Sequence, residues 1–453
     1  MLIMRCLIIL LLFLLPMLCV AQKSLTLADC VALAKLNNRR VAAAHYDARA
    51  AHYARRAAYA NFLPRLSLVG TGGYSTAYGA LAIEGGRLPI IGADGLPTGA
   101  TAYFPGAALD YRVGWAFAAG LKMEQPLFAG GKILAGCKLS KVAQSIAREN
   151  IRLTESEVIV ETAHAYTNLV RAVEKQKVAD AYNNLLSELM RSVEKAVERG
   201  VKSRNDYLRV EAKMAESELN VLRTRNARRL AAMNLAHYSG LPLDSVVAIS
   251  AQLPAVDYAF EPSADVSARP EARILAATCE AMRLKASMAR AEILPQMGLT
   301  AGWGCTHAVR VADDNLFGGW DFFVGVRVAV PIFNWGAHSK YREAQMLYSR
   351  ARCDRQDKMQ QLRLQAEKAA NNLHEAAFEV RLAQKSAASA AENMRVSGSR
   401  FRAGIETLAD YLEAQTQWLG AEEALVEAYI NRFVQFLEYH KAVGSRHEIL
   451  LSF

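Results

Sequence analysis

Between Leu362 and Met394 the apolar and small residues fall at alternating steps of four and three: Leu362, Ala366, Ala369, Leu373, Ala376, Val380, Ala383, Ala387, Ala390 and Met394. No glycine or proline interrupts them. A stripe with a period of about 3.5 predicts an α-helix in a left-handed supercoil, since a straight helix of about 3.6 residues per turn would carry the stripe away from its partner. Most of the stripe is alanine. Small side chains let helices approach closely, which suits a wall of many helices better than a two-stranded zipper.

The same patterning divides the rest of the chain. Ser24 to Asn61 predicts a helix, capped by Ser24 or Thr26, with Leu27, Val31, Ala34 and Leu36 opening its apolar stripe. Phe62-Leu63-Pro64 stops it, and the period changes to two: Leu66, Leu68 and Tyr74 against Ser67 and Ser75, a strand over about 66–80. Gly85 to Gly106 is rich in glycine and proline and reads as an exposed loop. A second strand, about 112–125, carries Val113, Trp115, Phe117, Ala119, Leu121 and Met123 on one face. Its other face carries Gly114, Ala116, Ala118, Gly120, Lys122 and Glu124, and Pro126 ends it. Large apolar groups on one side and tiny or charged ones on the other fit a barrel wall with lipid outside and water inside. A soluble sheet on a core would alternate similarly.

Gly131 to Arg199 then reads as one helix, about 100 Å long at about 1.5 Å per residue, longer than ordinary globular helices. Gly200 breaks it. A helix over about 206–238 follows, with Leu208, Ala212, Ala215, Leu219 and Leu222 again at four-three steps, until Gly240-Leu241-Pro242. Residues 241–268 read as a connector.

The plan then repeats. Pro270 opens a helix at its first turn. Strands are expected over about 297–307 and 320–330, a long helix to Gly404, and a last helix to about Val443, leaving a tail at 444–453. Leu294-Pro295 echoes Leu63-Pro64, Pro331-Ile332-Phe333 echoes Pro126-Leu127-Phe128, and Arg327 falls where Lys122 falls. Gly404 to Leu412 matches Gly200 to Leu208, with Asp410-Tyr411-Leu412 over Asp206-Tyr207-Leu208. The two repeats are 22–240 and 269–443: each is helix, strand pair, long helix, turn, helix.

Charge and composition narrow the function. The net charge of +10 over 453 residues is spread along helix faces without a basic block or tail, which speaks against nucleic-acid binding. Met1 to Arg5, the apolar Leu7 to Leu15 and the small residues up to Ala21 predict a secretory signal over 1–21. Lipidation at Cys19 is the alternative, disfavoured by Pro16-Met17-Leu18 ahead of it. Beyond the signal, no apolar run of about 18 residues predicts a membrane helix. Cys30, Cys137, Cys279, Cys305 and Cys353 are odd in number and scattered, so they read as packing residues and not as disulfides or a metal site. Gly130-Gly131-Lys132 is no nucleotide loop, Gly70, Gly72 and Gly73 open no helix, and the nine histidines lack metalloenzyme spacing. No catalytic residue, metal or cofactor is expected.

Four amphipathic strands cannot close a membrane barrel, which needs about eight or more, so several chains must share one. On these residues the chain resembles the TolC-like outer-membrane efflux proteins over its whole mature length. The resemblance rests on the duplicated leucine-proline strand entries, the proline-to-phenylalanine strand exits and the glycine-to-aspartate tips. It implies a mainly α fold with membrane β: a homotrimer sharing a twelve-stranded barrel in the outer membrane, above a long periplasmic coiled-coil tunnel. It also implies a periplasmic adaptor and an inner-membrane pump of RND or ABC type as partners, outer-membrane lipid around the barrel, and transport without chemistry. The tunnel's inner end is then the gate, with Asp410, Glu413 and Asp206 as tip carboxylates that threefold symmetry would gather into cation-attracting rings. Asp206 reads equally well as a helix cap, and Glu413 as part of a solvated face. Phe401 stands where the family often has a tip aromatic. Glu406 stands where some members have a basic latch residue, a departure. Gly200, Val201, Gly404 and Ile405 are the implied adaptor-docking tips. Lys122 and Arg327 face the barrel lumen. The rival reading is an exported periplasmic coiled-coil scaffold without a pore, which would explain the helices but not the strands.

Overall fold

The structure, a computed structural model, describes residues 25–244, 265–311 and 314–444, the side chains of 308–311 and 314–318 excepted. The expected signal, most of the connector and nearly all of the tail lie outside the described residues. The elements are α1 (Leu27–Asn37), α2 (Arg39–Ala60), β1 (Arg65–Tyr74), β2 (Tyr78–Ile83), β3 (Gly86–Ile91), β4 (Pro97–Phe104), β5 (Ala107–Arg112) and β6 (Trp115–Ala129). Then come α3 (Lys132–Glu198), α4 (Arg204–Tyr238), α5 (Pro270–Ala291), β7 (Gln296–Val311), β8 (Asp314–Ala329), α6 (Trp335–Arg402) and α7 (Leu408–Val443). They form two compact units, one of Met1–Ala51, Ala143–Cys279 and Ala351–Phe453, the other of His52–Val142 and Glu280–Arg350.

The first unit is helical. Its core forms patches along the helices instead of one centre. Leu27, Cys30 and Val31 of α1 meet Ile159, Tyr166 and Leu169 of α3, Leu235 of α4, and Phe433 and Leu437 of α7. A second patch joins the α6 seam (Leu362, Ala366, Ala369, Leu373) to Ala272 of α5 and to Phe436 and Tyr439 of α7. The expected seam is therefore the packing face: seven of its ten members are buried, and Ala383, Ala390 and Met394 are half-buried. Each fully buried leucine, such as Leu186 or Leu373, stabilises this packing by about 1.5–3 kcal/mol. Burial pushes the Cys30 thiol up to about 11 and the Tyr166 phenol up to about 12. Arg269, almost fully buried, makes a 2.6 Å ion pair with Glu271 and donates to the Ala442 carbonyl, tying the start of α5 to the end of α7.

The expected helix over 24–61 is two helices. Thr26 caps α1 in a reciprocal box with Asp29. Asn38 ends α1 in an extended conformation, where its Oδ1 accepts from the Arg40 N–H and its Nδ2 donates to the Tyr238 carbonyl. An asparagine amide that satisfies backbone groups itself competes with helix continuation. Leu36 lies off the α1 stripe and is 82% exposed. The α4 seam also differs: Leu208, Leu219 and Leu222 are about half exposed, and over this stretch the buried residues are Val210 and Ser217, two positions along.

The second unit carries the sheet. β1, β6, β7 and β8 pair antiparallel in that order, and β5 and β2 extend the sheet from β7. Gly120 and Gly304 sit opposite each other, and a Cβ on Gly304 would lie 2.6 Å from the Ala119 carbonyl oxygen, so only glycine permits this approach. Two expectations are corrected here. The segment read as a loop over 85–106 is a β3–β4 hairpin: in a two-stranded sheet every strand is an edge strand, Pro89 falls at a register shift within β3, and Pro97 opens β4, so pairing remains possible. Pro126 does not end its strand: β6 continues to Ala129 past an irregularity at Pro126. The first strand closes at Tyr74, and the second pair runs longer, over 296–311 and 314–329. The five cysteines among the described residues are free, and Cys353 is exposed, so it is no packing residue.

Candidate functional site

Two regions carry the residues singled out in the sequence. The first is the pair of helix tips in the helical unit. After α3 and α6 the chain turns through Gly200 and Gly404, with φ of 71° and 77°, left-handed values that glycine adopts without strain. Val201 N–H donates to the Ala196 carbonyl and Ile405 N–H to the Arg400 carbonyl, the same closing bond in both repeats. The next helix starts alike in both. Ser203 caps α4 in a box with Asp206, and Thr407 caps α7 with Asp410 accepting from its hydroxyl at 2.6 Å. Both aspartates thus serve helix starts, where the helix dipole favours negative charge. Capping is the alternative expected of Asp206 from the sequence; for Asp410, expected as a gate carboxylate, the structure adds it.

The tips touch each other. Phe401 stacks on Tyr411, and Lys202 sits 4.7 Å from the Phe401 centroid. Beneath them Tyr182, Leu186, Leu189 and Val193 of α3 pack on Val210, Leu408 and Leu412. Glu406 accepts from Ser397 Oγ at 2.6 Å, while its second oxygen is buried without a partner among the described residues. Glu413 is exposed, accepts from Gln417, and lines a groove with Arg209, Lys213, Glu216 and Leu412. The Glu216 carboxylate, hydrogen-bonded to Lys213, holds that ammonium above the usual lysine range. Val201 and Ile405 project into solvent, 73% and 77% exposed. Sequence reasoning missed Lys202, Tyr411 and Ser397, whose roles arise from contacts across the turns.

The second region is the sheet. Register places Leu68, Leu121, Trp303 and Phe322 side by side, and Leu66, Met123, Ala301 and Val324 in the next row of the same face. Six of these eight side chains are exposed, from Leu121 at 40% to Leu68 at 79%, and Met123 and Ala301 are half-buried. Tyr74, Trp115 and Phe117 lie at one end of it, Trp320 and Trp303 follow inward, and Phe128 lies at the other end, with Phe333 and Trp335 in the chain just after β8. The opposite face holds Ser67, Thr71, Ala118, Gly120, Gly302 and Gly304 with the charges Arg65, Lys122, Glu124, Asp321 and Arg327. Lys122 and Glu124 form a 2.6 Å ion pair. No described helix is long and apolar enough to cross a membrane.

Comparison with known proteins agrees with this arrangement. The family model described as "outer membrane efflux protein" matches residues 30–241 and 266–442, one segment for each repeat. The alkaline protease secretion protein AprF of Pseudomonas aeruginosa is 25% identical over 330 residues, 68% of this chain and 65% of that protein, just under two thirds of its length. Among solved structures, the CmeC outer membrane channel of Campylobacter jejuni superposes with a TM-score of 0.75 at 20% identity, covering 92% of this chain and 85% of that one. The outer membrane protein VceC of Vibrio cholerae gives a TM-score of 0.74 at 17% identity, covering 92% and 96%. At these identities the structures establish the fold.

Proposed function

Because the chain belongs to the outer membrane efflux protein family, we propose that it is the outer-membrane channel of an efflux or type I secretion machine: a passive conduit from periplasm to exterior. The observation that carries this is a sheet whose exposed face is largely apolar and whose long edge strands β1 and β8, like the short β2, have no outer partner among the described residues. In lipid each unpaired backbone group costs several kcal/mol, so an open sheet is untenable there. Three copies supply twelve crossing strands from β1, β6, β7 and β8, and closure between β8 of one copy and β1 of the next removes the edges of these crossing strands. Trp115 and Phe128 are thirteen residues apart on β6; at about 3.3 Å per residue and a tilt of about 40° they bracket about 30 Å, the hydrocarbon thickness.

The homotrimer has a second support. Leu208, Ala212, Ala215, Leu219 and Leu222 keep a coiled-coil period on the exposed side of α4. An unused seam of that kind suits a neighbouring copy. The exposed Val201 and Ile405 at the tips suit a periplasmic adaptor, which would couple the channel to an inner-membrane pump. Asp410, Glu413 and Asp206 would line the entrance. No bond is made or broken in this function.

Extraction tests it. The protein should partition with outer membranes, require detergent, run as a trimer and conduct in planar bilayers. A monodisperse monomer in plain buffer, without conductance, would overturn the channel and favour the exported scaffold.

A further inference from the structure

We propose that the inward end of the strand sheet is an anion-attracting collar that concentrates anionic solutes where they enter the barrel. The proposal rests on the channel reading above and adds a substrate preference to it. Arg65 and Glu124 are direct cross-strand partners, Lys122 is one residue row away on the same face, and Arg327 faces Gly298 one row on the other side. Three cations thus surround one carboxylate. Lys122 takes the direct ion pair with Glu124. Arg65 and Arg327 act on Glu124 electrostatically, and neither forms a direct ion pair among the described residues. Arg65, Glu124 and Arg327 line one cavity together with Lys132, whose own charge is matched by Glu292 at 2.9 Å.

The surplus is two positive charges per chain: Arg65, Lys122 and Arg327 against Glu124. The one other acid on this face with a described side chain is Asp321, which pairs opposite Gly304, the row beyond Lys122. Between these charges the wall is mostly small, with Ser67, Thr300, Gly302 and Gly325, and one ring, Phe323, lies over Gly302 in the row of Lys122. Two guanidinium forks without direct carboxylate partners suit the carboxylates, sulfates and phosphates of small solutes. A low-dielectric wall of one charge sign focuses its field into the aqueous space it encloses. Three copies would repeat the surplus around the lumen.

Planar-bilayer reversal potentials under a KCl gradient test this, in an Asp410→Asn/Glu413→Gln background that removes the tip contribution. That background should prefer chloride, and adding Arg65→Gln/Arg327→Gln should lower the chloride-to-potassium permeability ratio by about twofold or more. Should the double variant fail to assemble, Arg327→Gln alone and the salt dependence of the background decide. Screening tightens from about 10 Å at 0.1 M to about 3 Å at 1 M, so the chloride preference should collapse at high salt. A conducting channel with unchanged selectivity in the arginine variants, or without chloride preference at low salt, would overturn the collar alone. Assembled protein without any conductance would overturn the channel reading and the collar with it.

Discussion

The ring of Phe401 lies nearly parallel to that of Tyr411, centroids 5.2 Å apart and planes 16° from coplanar. Phe401 is in the last turn of α6 and Tyr411 in the first turns of α7, so the stack clamps the second tip, and Lys202 on the Phe401 face brings in the first. Aromatic stacking and cation–π contact together stabilise this junction by about 1–3 kcal/mol. Phe401→Ala should therefore loosen the tip without unfolding the chain. Hydrogen exchange across residues 397–412 should accelerate, and single-channel conductance should rise. Unchanged exchange there would show that the stack does not hold the tip.

Asp410 and Glu413 allow a charge effect to be separated from a capping effect. Asp410→Asn with Glu413→Gln removes six carboxylates from a trimer and should reduce cation over anion permeability by about twofold or more. Thr407→Ala breaks the cap shared with Asp410 and should cost about 0.5–2 kcal/mol at the start of α7 while leaving both charges in place. Selectivity measured by reversal potential should follow the first pair of changes, and hydrogen exchange at 407–412 should follow the second. If Thr407→Ala changes selectivity as much as the charge removal does, the carboxylates act only as caps.

How much of this was legible in the sequence varied with the physics involved. Long helices, the α6 seam, both glycine tips and the two inner strands of each repeat follow from periodicity alone, since period and conformation are tied by geometry. The β3–β4 hairpin was hidden because glycine and proline mark turns and edge strands alike. The α4 stripe keeps its period, but the side it faces was not legible: Val210 and Ser217 are buried inside the unit while Leu219 faces outward. At the tips, capping was legible as one reading of Asp206, whereas Asp410, expected as a gate carboxylate, shows its bond to Thr407 only in the structure. The contact of Lys202 with Phe401 joins residues almost two hundred positions apart, and no local pattern encodes it.

Gln415 is fully buried on α7, and neither its amide nitrogen nor its oxygen has a hydrogen-bond partner among the described residues. A buried amide left unpaired costs roughly 1–3 kcal/mol in protein mutational terms. An apolar side chain of the same length removes that cost and keeps the volume. Gln415→Met should therefore stabilise α7 by about 1–3 kcal/mol, read as slower hydrogen exchange over 408–420 and a higher unfolding midpoint in detergent. Loss of stability instead would mean that the amide is satisfied in the assembled protein, by water or by a neighbouring copy.

Acid should weaken the far end of α7, and the sign follows from two groups. Burial lowers the His440 imidazole below its ordinary value of 6.5, so the unfolded segment takes up a proton first and stability falls as pH drops through about 6.5. The hydrogen bond from His164, at 2.8 Å, lowers the Glu438 carboxyl below its ordinary value of 4.5. Its contribution is complete above that value and is lost as pH falls through the lowered one. The first step is therefore set by His440 and the second by Glu438. Hydrogen exchange over 430–443, corrected for intrinsic rates, should quicken between pH 7.5 and 5.5 (an interval of about two units around the histidine range). In His440→Phe, which keeps an aromatic ring against Phe436 without a proton to gain, that acceleration should largely vanish while the response below pH 4.5 persists. Equal acceleration in the variant and the parent would assign the upper step to another group.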